Sequence, residues 1–149
     1  MYERILVPTD GSDGAAKSMT EAFDLAEEMG GTIHALYVID TRNYNTLSDT
    51  KWLTLEDELS EIGEQALEDV EAQATTRGIP VKTAIERGIP HEEILSYATD
   101  IDADVIVMGT HGRSGLQHFL MGSVTEKVIR STGRPVLVIR GMDDESSNE

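Results

Sequence analysis

Residues 104–140 read DVIVMGTHGRSGLQHFLMGSVTEKVIRSTGRPVLVIR. Two short apolar runs, DVIVMG (104–109) and PVLVIR (135–140), bracket the stretch. Both are rich in branched residues and lack the polar alternation of a half-solvated strand. Runs of this kind suit strands covered on both faces. Between them a helical pattern runs from about Ser123 to Thr132 and ends at Gly133 and Pro135. Strand, glycine-rich connector, helix, strand: this order predicts a parallel sheet.

The alternation continues toward the amino terminus. ERILVP (3–8) and TIHALYVI (32–39) are further apolar runs, and PVKTAIE (80–86) alternates more, as an edge strand does. Ala15, Ala16, Met19, Ala22, Phe23, Ala26 and Met29 recur at three- and four-residue spacing, and Gly30-Gly31 supplies the stop. A second helical pattern runs from about Thr50 to Arg77, with Leu55, Leu59, Ile62, Ala66 and Val70 on one face, ended by Gly78 and Pro80. A third uses Ile94, Leu95, Ala98 and Ile101 after Pro90. Five strands and four helices predict a single-domain α/β fold. Its open parallel sheet has strand order 3-2-1-4-5 (flavodoxin-like), helices on both faces and right-handed crossovers. TRNYNTLSDTKWLT (41–54) is the one long connection, and it starts at the carboxyl end of strand 2, the edge where open α/β sheets bind ligands. The domain is expected to span 1–141. Residues 142–149, acidic and without an apolar residue after Met142, read as a disordered tail.

Composition narrows the function classes. Twelve basic against 28 acidic residues give a net charge of −16, which argues against a free surface for nucleic acid or anionic lipid. An acidic excess of this size is expected of a halophilic protein in a salt-rich cytoplasm, where ions screen the repulsion. The absence of Cys excludes a disulfide framework and a thiolate metal site. MYERILV begins a strand rather than a signal peptide, and no apolar run approaches the length of a membrane span. A cytoplasmic location is the expectation.

The connector after strand 4 carries the chemistry. Its glycines fall at Gly109, Gly112, Gly115 and Gly122, with Ser123 next. Glycine lets backbone N–H groups approach a ligand closely. A helix starting near Ser123 leaves its first N–H groups unpartnered and adds about half a positive charge. Together these make a phosphate cradle built largely from backbone, with Arg113 and Lys127 able to add full charges. The plain alternative is a glycine-rich connector capped by Ser123.

The spacing Gly109-x2-Gly112-x9-Gly122-Ser123 resembles the G-x2-G-x9-G-[ST] pattern of the ATP-binding universal stress proteins. ILVPTDGS, ALYVID, DADVIVMG, GTHGRSG, MGSVTEKVIR and RPVLVIR are similar to that family too, in the right order over residues 1–140. The resemblance implies an adenine nucleotide alpha-hydrolase-like fold and a dimeric, nucleotide-dependent stress-response protein. It implies ATP as ligand and leaves AMP, ADP and a need for Mg²⁺ open. It places Asp10 at the adenine and ribose, with Pro8 and Thr9 lining the pocket. The backbone at Val38 meets the adenine edge, and Met108 and Gly109 lie under the ribose. Gly112, Arg113, Gly122, Ser123, Val124 and Thr125 hold the phosphates, and His111 lies in the same loop. Read without the resemblance, Asp10 is a turn residue or helix cap and Val38 is core.

Rival sites fail on spacing. GSDGAAKS (11–18) nearly matches a P-loop, but Ala16 stands at the required glycine and Asp10 and Asp13 would repel phosphate. A phosphoacceptor receiver needs a second Asp after strand 3, where Glu86-Arg87-Gly88 stands instead. His34, His91, His111 and His118 lack metal-motif spacing, and no nucleophile–base pair is supported. No catalytic residue is assigned, and slow ATP hydrolysis stays open. The competing class is a nucleotide-free dimeric interaction module of the same fold. For assembly, Val136, Leu137, Val138 and Ile139 form an apolar edge strand that invites antiparallel pairing with a second copy. The resemblance implies the same homodimer.

Overall fold

The computed structural model describes residues 2–42, 47–110 and 122–140. Five parallel strands, β1 (Arg4–Pro8), β2 (Thr32–Asp40), β3 (Val81–Gly88), β4 (Val105–Gly109) and β5 (Val136–Ile139), form one sheet. Its order is β3-β2-β1-β4-β5, as the alternation predicts. The register runs Leu6 to His34 on one side of β1 and Leu6 to Ile106 on the other. Four helices connect the strands: α1 (Asp13–Met29), α2 (Asp49–Arg77), α3 (Pro90–Ile101) and α4 (Ser123–Ser131).

Strand parity sorts the side chains into two cores. Ile5, Val7, Ile33, Ala35, Tyr37, Ile39, Val105 and Val107 pack with Met19, Ala22 and Phe23 of α1 and with Leu67, Val70 and Ala74 of α2. Leu6, Leu36, Ile106 and Met108 pack on the opposite face with Ile94 and Ala98 of α3 and Val128 of α4. Each side chain that is fully buried in this way contributes about 1.5–3 kcal/mol.

Helix α2 departs from its predicted face. Its buried residues are Trp52, Gly63, Leu67, Val70 and Ala74, whereas Ile62 is exposed and Leu55, Leu59 and Ala66 are only half-buried. The reason is Gly63. A Cβ built there would stand 2.6 Å from Cδ1 of the Tyr37 ring, so the helix closes on β2 through its missing side chain. The helix starts at Asp49, in agreement with the expected start near Thr50. The Ser48 hydroxyl accepts the Lys51 N–H at 3.3 Å and caps it, which shortens the predicted 41–54 connection to 41–48.

Two further contacts fix the amino edge. The Asp104 carboxylate accepts the backbone N–H groups of Glu3 and Arg4, both at 2.9 Å, tying β1 to β4. Those bonds hold its carboxyl below the usual carboxylate range. His34 lies buried on β2 and its Nδ1 has no hydrogen-bond partner. Burial first, then the charges of Lys82 and Arg4, pushes the imidazole pKa below its usual 6.5.

Gly63→Ala is expected to destabilise the protein by about 1–3 kcal/mol in urea unfolding, because overpacking against Tyr37 outweighs the gain in helix propensity. His34 yields a pH prediction. Its folded-state pKa is lowered, so the unfolded chain binds the proton first as pH falls below 6.5. This group therefore removes stability from 6.5 downward until the folded pKa is passed. His34→Leu should flatten that part of the stability–pH curve, and an unchanged slope in urea melts between pH 7 and pH 5 would contradict it.

Candidate functional site

The carboxyl ends of β4, β1 and β2 open into one cleft of about 450 Å³. Pro8, Thr9, Asp10, Val38, Met108, Gly109, Gly122, Ser123, Val124 and Thr125 all line it. The structure thus brings together every site residue expected from the sequence except His111, Gly112 and Arg113, which lie outside the described residues. Ala15, Leu36, Tyr37, Ile39, Asp40, Arg42, Leu59, Pro90 and Ile94 complete the lining. Among the described residues, no group of three or more acidic or histidine side chains could hold a metal ion.

β1 leaves the sheet through a tight turn. The Thr9 N–H makes the last bond to β2, donating to the Leu36 carbonyl at 2.8 Å. Gly11 then adopts φ +81°, a conformation that favours glycine. The Ser12 N–H donates to Asp10 Oδ1 at 2.9 Å, and the Ser12 hydroxyl caps α1 by accepting the Ala15 N–H at 3.2 Å. Asp10 is therefore a turn residue and a cleft residue at once. Backbone groups two residues apart on a strand face the same side, so those of Val38 face the side where β1 has already ended.

The opposite wall is the start of α4. Gly122, not Ser123, is the cap residue, and among the described residues no side chain caps this helix. The Gly122 N–H donates to the Thr110 carbonyl at 2.6 Å, and the first intrahelical bond runs from Glu126 N–H to Gly122 at 3.0 Å. The N–H groups of Ser123, Val124 and Thr125 consequently have no acceptor within the helix. Thr125 is buried, and its hydroxyl donates to the Gly109 carbonyl at 2.8 Å, clamping the helix start onto the end of β4. Its side chain serves position, and its N–H is what it can offer the cleft. Lys127, considered as an added charge, is exposed and does not line the cleft.

At the third wall, Asp40 and Arg42 form a close pair, with Arg42 Nη2 2.5 Å from Asp40 Oδ2. The guanidinium holds the Asp40 carboxyl below its usual range. The sequence reading missed this pair, although the Asp-x-Arg spacing directly after strand 2 was there to be read. Leu59, Pro90 and Ile94 had no comparable signal, since each reaches the cleft from a different turn of α2 or α3.

A family model described as the universal stress protein family matches residues 1–140. The chain belongs to the universal stress protein family. This universal stress protein is 37% identical over 141 residues to the universal stress protein MJ0531 of Methanocaldococcus jannaschii, covering 94% of this chain and 83% of that one. The solved structure of MJ0577 from the same organism superposes with a TM-score of 0.83 at 36% identity, covering 94% of this chain and 96% of that one. The universal stress protein UspA of Lactobacillus plantarum gives 0.81 at 30%, covering 93% and 98%. Two more distant universal stress proteins, solved with cAMP and with dAMP, share the fold at 22% identity and a TM-score of 0.66.

Thr125→Val should cost about 1–2 kcal/mol in chemical unfolding, because it leaves the Gly109 carbonyl without its buried donor. A loss below a few tenths of a kcal/mol would mean that the hydroxyl does not hold α4.

Proposed function

We propose that this universal stress protein is an ATP-binding, dimeric regulatory protein of the stress response. The observation that carries the reading is Gly122. Its φ of −61° is open to any residue, and among the described residues a Cβ there would meet only the Thr110 carbonyl, at 3.4 Å. Neither its backbone conformation nor its packing against the described residues calls for glycine at this position. A ligand seated against the uncapped N–H groups of α4 does, because a side chain would occupy its place. The triphosphate would lie there, and the resemblance assigns Gly112 and Arg113 to it as well, with His111 in the same sequence segment. The ribose would lie over Met108 and Gly109 beside Asp10, and the adenine at Pro8, Thr9 and the backbone of Val38. Support comes also from the glycine spacing of the resemblance and from the nucleotides named with two structures of the same fold.

Assembly follows from the sheet edge. Leu137 is 40% exposed on the outermost strand, and Val136, Val138 and Ile139 are only partly covered. Two such edges, paired antiparallel about a two-fold axis, would bury this apolar row in a homodimer.

Mass spectrometry of the supernatant from heat-denatured protein should find an adenine nucleotide. Titration with a fluorescent ATP analogue should find tight binding to the wild type and none to Gly122→Val. That variant should still fold, with a stability loss of about 1 kcal/mol at the helix cap. Equal affinity in the folded variant would overturn the cradle. A wild type that carries and binds no nucleotide would leave the interaction module as the surviving reading. For the dimer, sedimentation at several concentrations should show wild-type dimers and Val138→Pro monomers, because proline removes a ladder donor. A wild-type monomer at tens of micromolar in high salt would exclude the edge contact.

A further inference from the structure

The Asp40–Arg42 pair stands at the end of the cleft farthest from α4. The cleft crosses β4, β1 and β2 in that order, so its two ends are separated by two strand spacings, about 10 Å. That is close to the length of a nucleoside. A ligand with its anionic part at α4 therefore brings its other end to β2, just past Val38.

Arg42 is held with unusual care for a surface residue. Its backbone N–H donates to Asp40 Oδ1 at 2.9 Å, and its Nε donates to Oδ1 at 3.0 Å and to Oδ2 at 3.1 Å. Its Nη2 donates to Oδ2 as well. Four bonds use the acceptor capacity of the carboxylate, while the guanidinium keeps further donors and both flat faces. The turn itself is anchored, because the intervening Thr41 N–H donates to the Gly88 carbonyl of β3 at 3.2 Å. Stability does not account for this arrangement. The side chains are 45% and 37% exposed, and partners two residues apart tie no distant segments together. What the arrangement produces is a planar cation, fixed in orientation and neutralised by its own carboxylate, on the wall of an otherwise apolar cleft end.

We infer that Arg42 is a ligand-contacting residue that stacks its guanidinium on the planar aromatic ring at the far end of the ligand, and that Asp40 is the positioning residue that holds it there. The inference rests on the nucleotide reading above and adds a contact that the glycine motif does not contain. Neutralisation by Asp40 makes Arg42 a poor phosphate ligand and a good stacking surface, since planarity survives while net charge does not. It also fixes polarity. A triphosphate turned toward β2 would meet the Asp40 carboxylate rather than free N–H groups.

Titration of the full chain with adenosine and with ATP tests this. Arg42→Ala should weaken both ligands by the same factor, about threefold to tenfold, with an unchanged melting temperature in the absence of ligand. Arg42→Lys should not restore affinity, because it keeps the charge and loses the plane. Asp40→Ala should weaken adenosine binding in the wild-type background and have little further effect in Arg42→Ala, which separates positioning from a general disturbance. Unchanged adenosine affinity in Arg42→Ala, in a protein that binds ATP normally, would overturn this assignment and leave the nucleotide reading standing. A loss confined to ATP would also overturn it, by making Arg42 a phosphate contact. A wild type that binds neither ligand would overturn the nucleotide reading and this one with it.

Discussion

Complete burial of β1 is the constraint on which the rest of the molecule depends. Ile5, Leu6 and Val7 have no solvent exposure, so this strand needs a neighbour on each side and a helix layer on each face. Right-handed crossovers leave only a few arrangements that satisfy both demands, and the chain adopts one of them. The chain first winds outward through β2 and β3 with α1 and α2 on one face. It then returns across β1 to β4 and β5 with α3 and α4 on the other. At β1 the winding reverses, and the connections that leave β1 and β4 diverge. The cleft is the gap between them. It follows from the way the core is covered.

The fold was legible because two-sided burial writes itself as uninterrupted runs such as ILV (5–7) and VIVM (105–108). No partner information is needed to see such a run. Much of the site was legible for a related reason. Gly109, Gly122 and Ser123 would act through backbone, and the glycine spacing that resembles the family pattern is visible in the sequence. The face of α2 was not legible. Apolar periodicity put Ile62 inward, yet the contact that orients the helix is made by a residue with no side chain, Gly63, against the ring of Tyr37. Hydrophobic patterning is blind to a helix that docks through an absence. The lining from Leu59, Pro90 and Ile94 was hidden for another reason, since only the packed helices bring those positions to the same cleft.

Positive charge is scarce in this chain, and the fold places much of it away from the cleft. Arg77, in the last turn of α2, donates to Asp24 and Glu27 of α1 and lies 5.4 Å over the Phe23 ring. One residue thereby joins two helices at the carboxyl poles of their dipoles. Arg134 bonds the Asp102 carboxylate at 3.0 Å and the Ala103 carbonyl at 2.8 Å, just past the end of α3. At the cleft edge, Arg42 and Arg87 are each paired with a carboxylate, Asp40 and Glu56. Arg77 and Arg134 sit at the amino edge of the sheet, and among the described residues Arg42 is the one cation that lines the cleft.

The uncapped start of α4 therefore has a consequence for ionic environment. Lysine and arginine side chains that hold an anion act as charges, and dissolved salt competes with them directly for the same anion. Peptide N–H groups act as short-range directed donors from fixed positions, and bulk ions displace them far less readily. An anion seated on Ser123, Val124 and Thr125 would lose less of its hold to rising salt than one held by side-chain cations alone, although the helix dipole is screened too. A surface as acidic as this one could then be tuned for its solvent with less effect on the cleft than if side-chain cations alone held the anion.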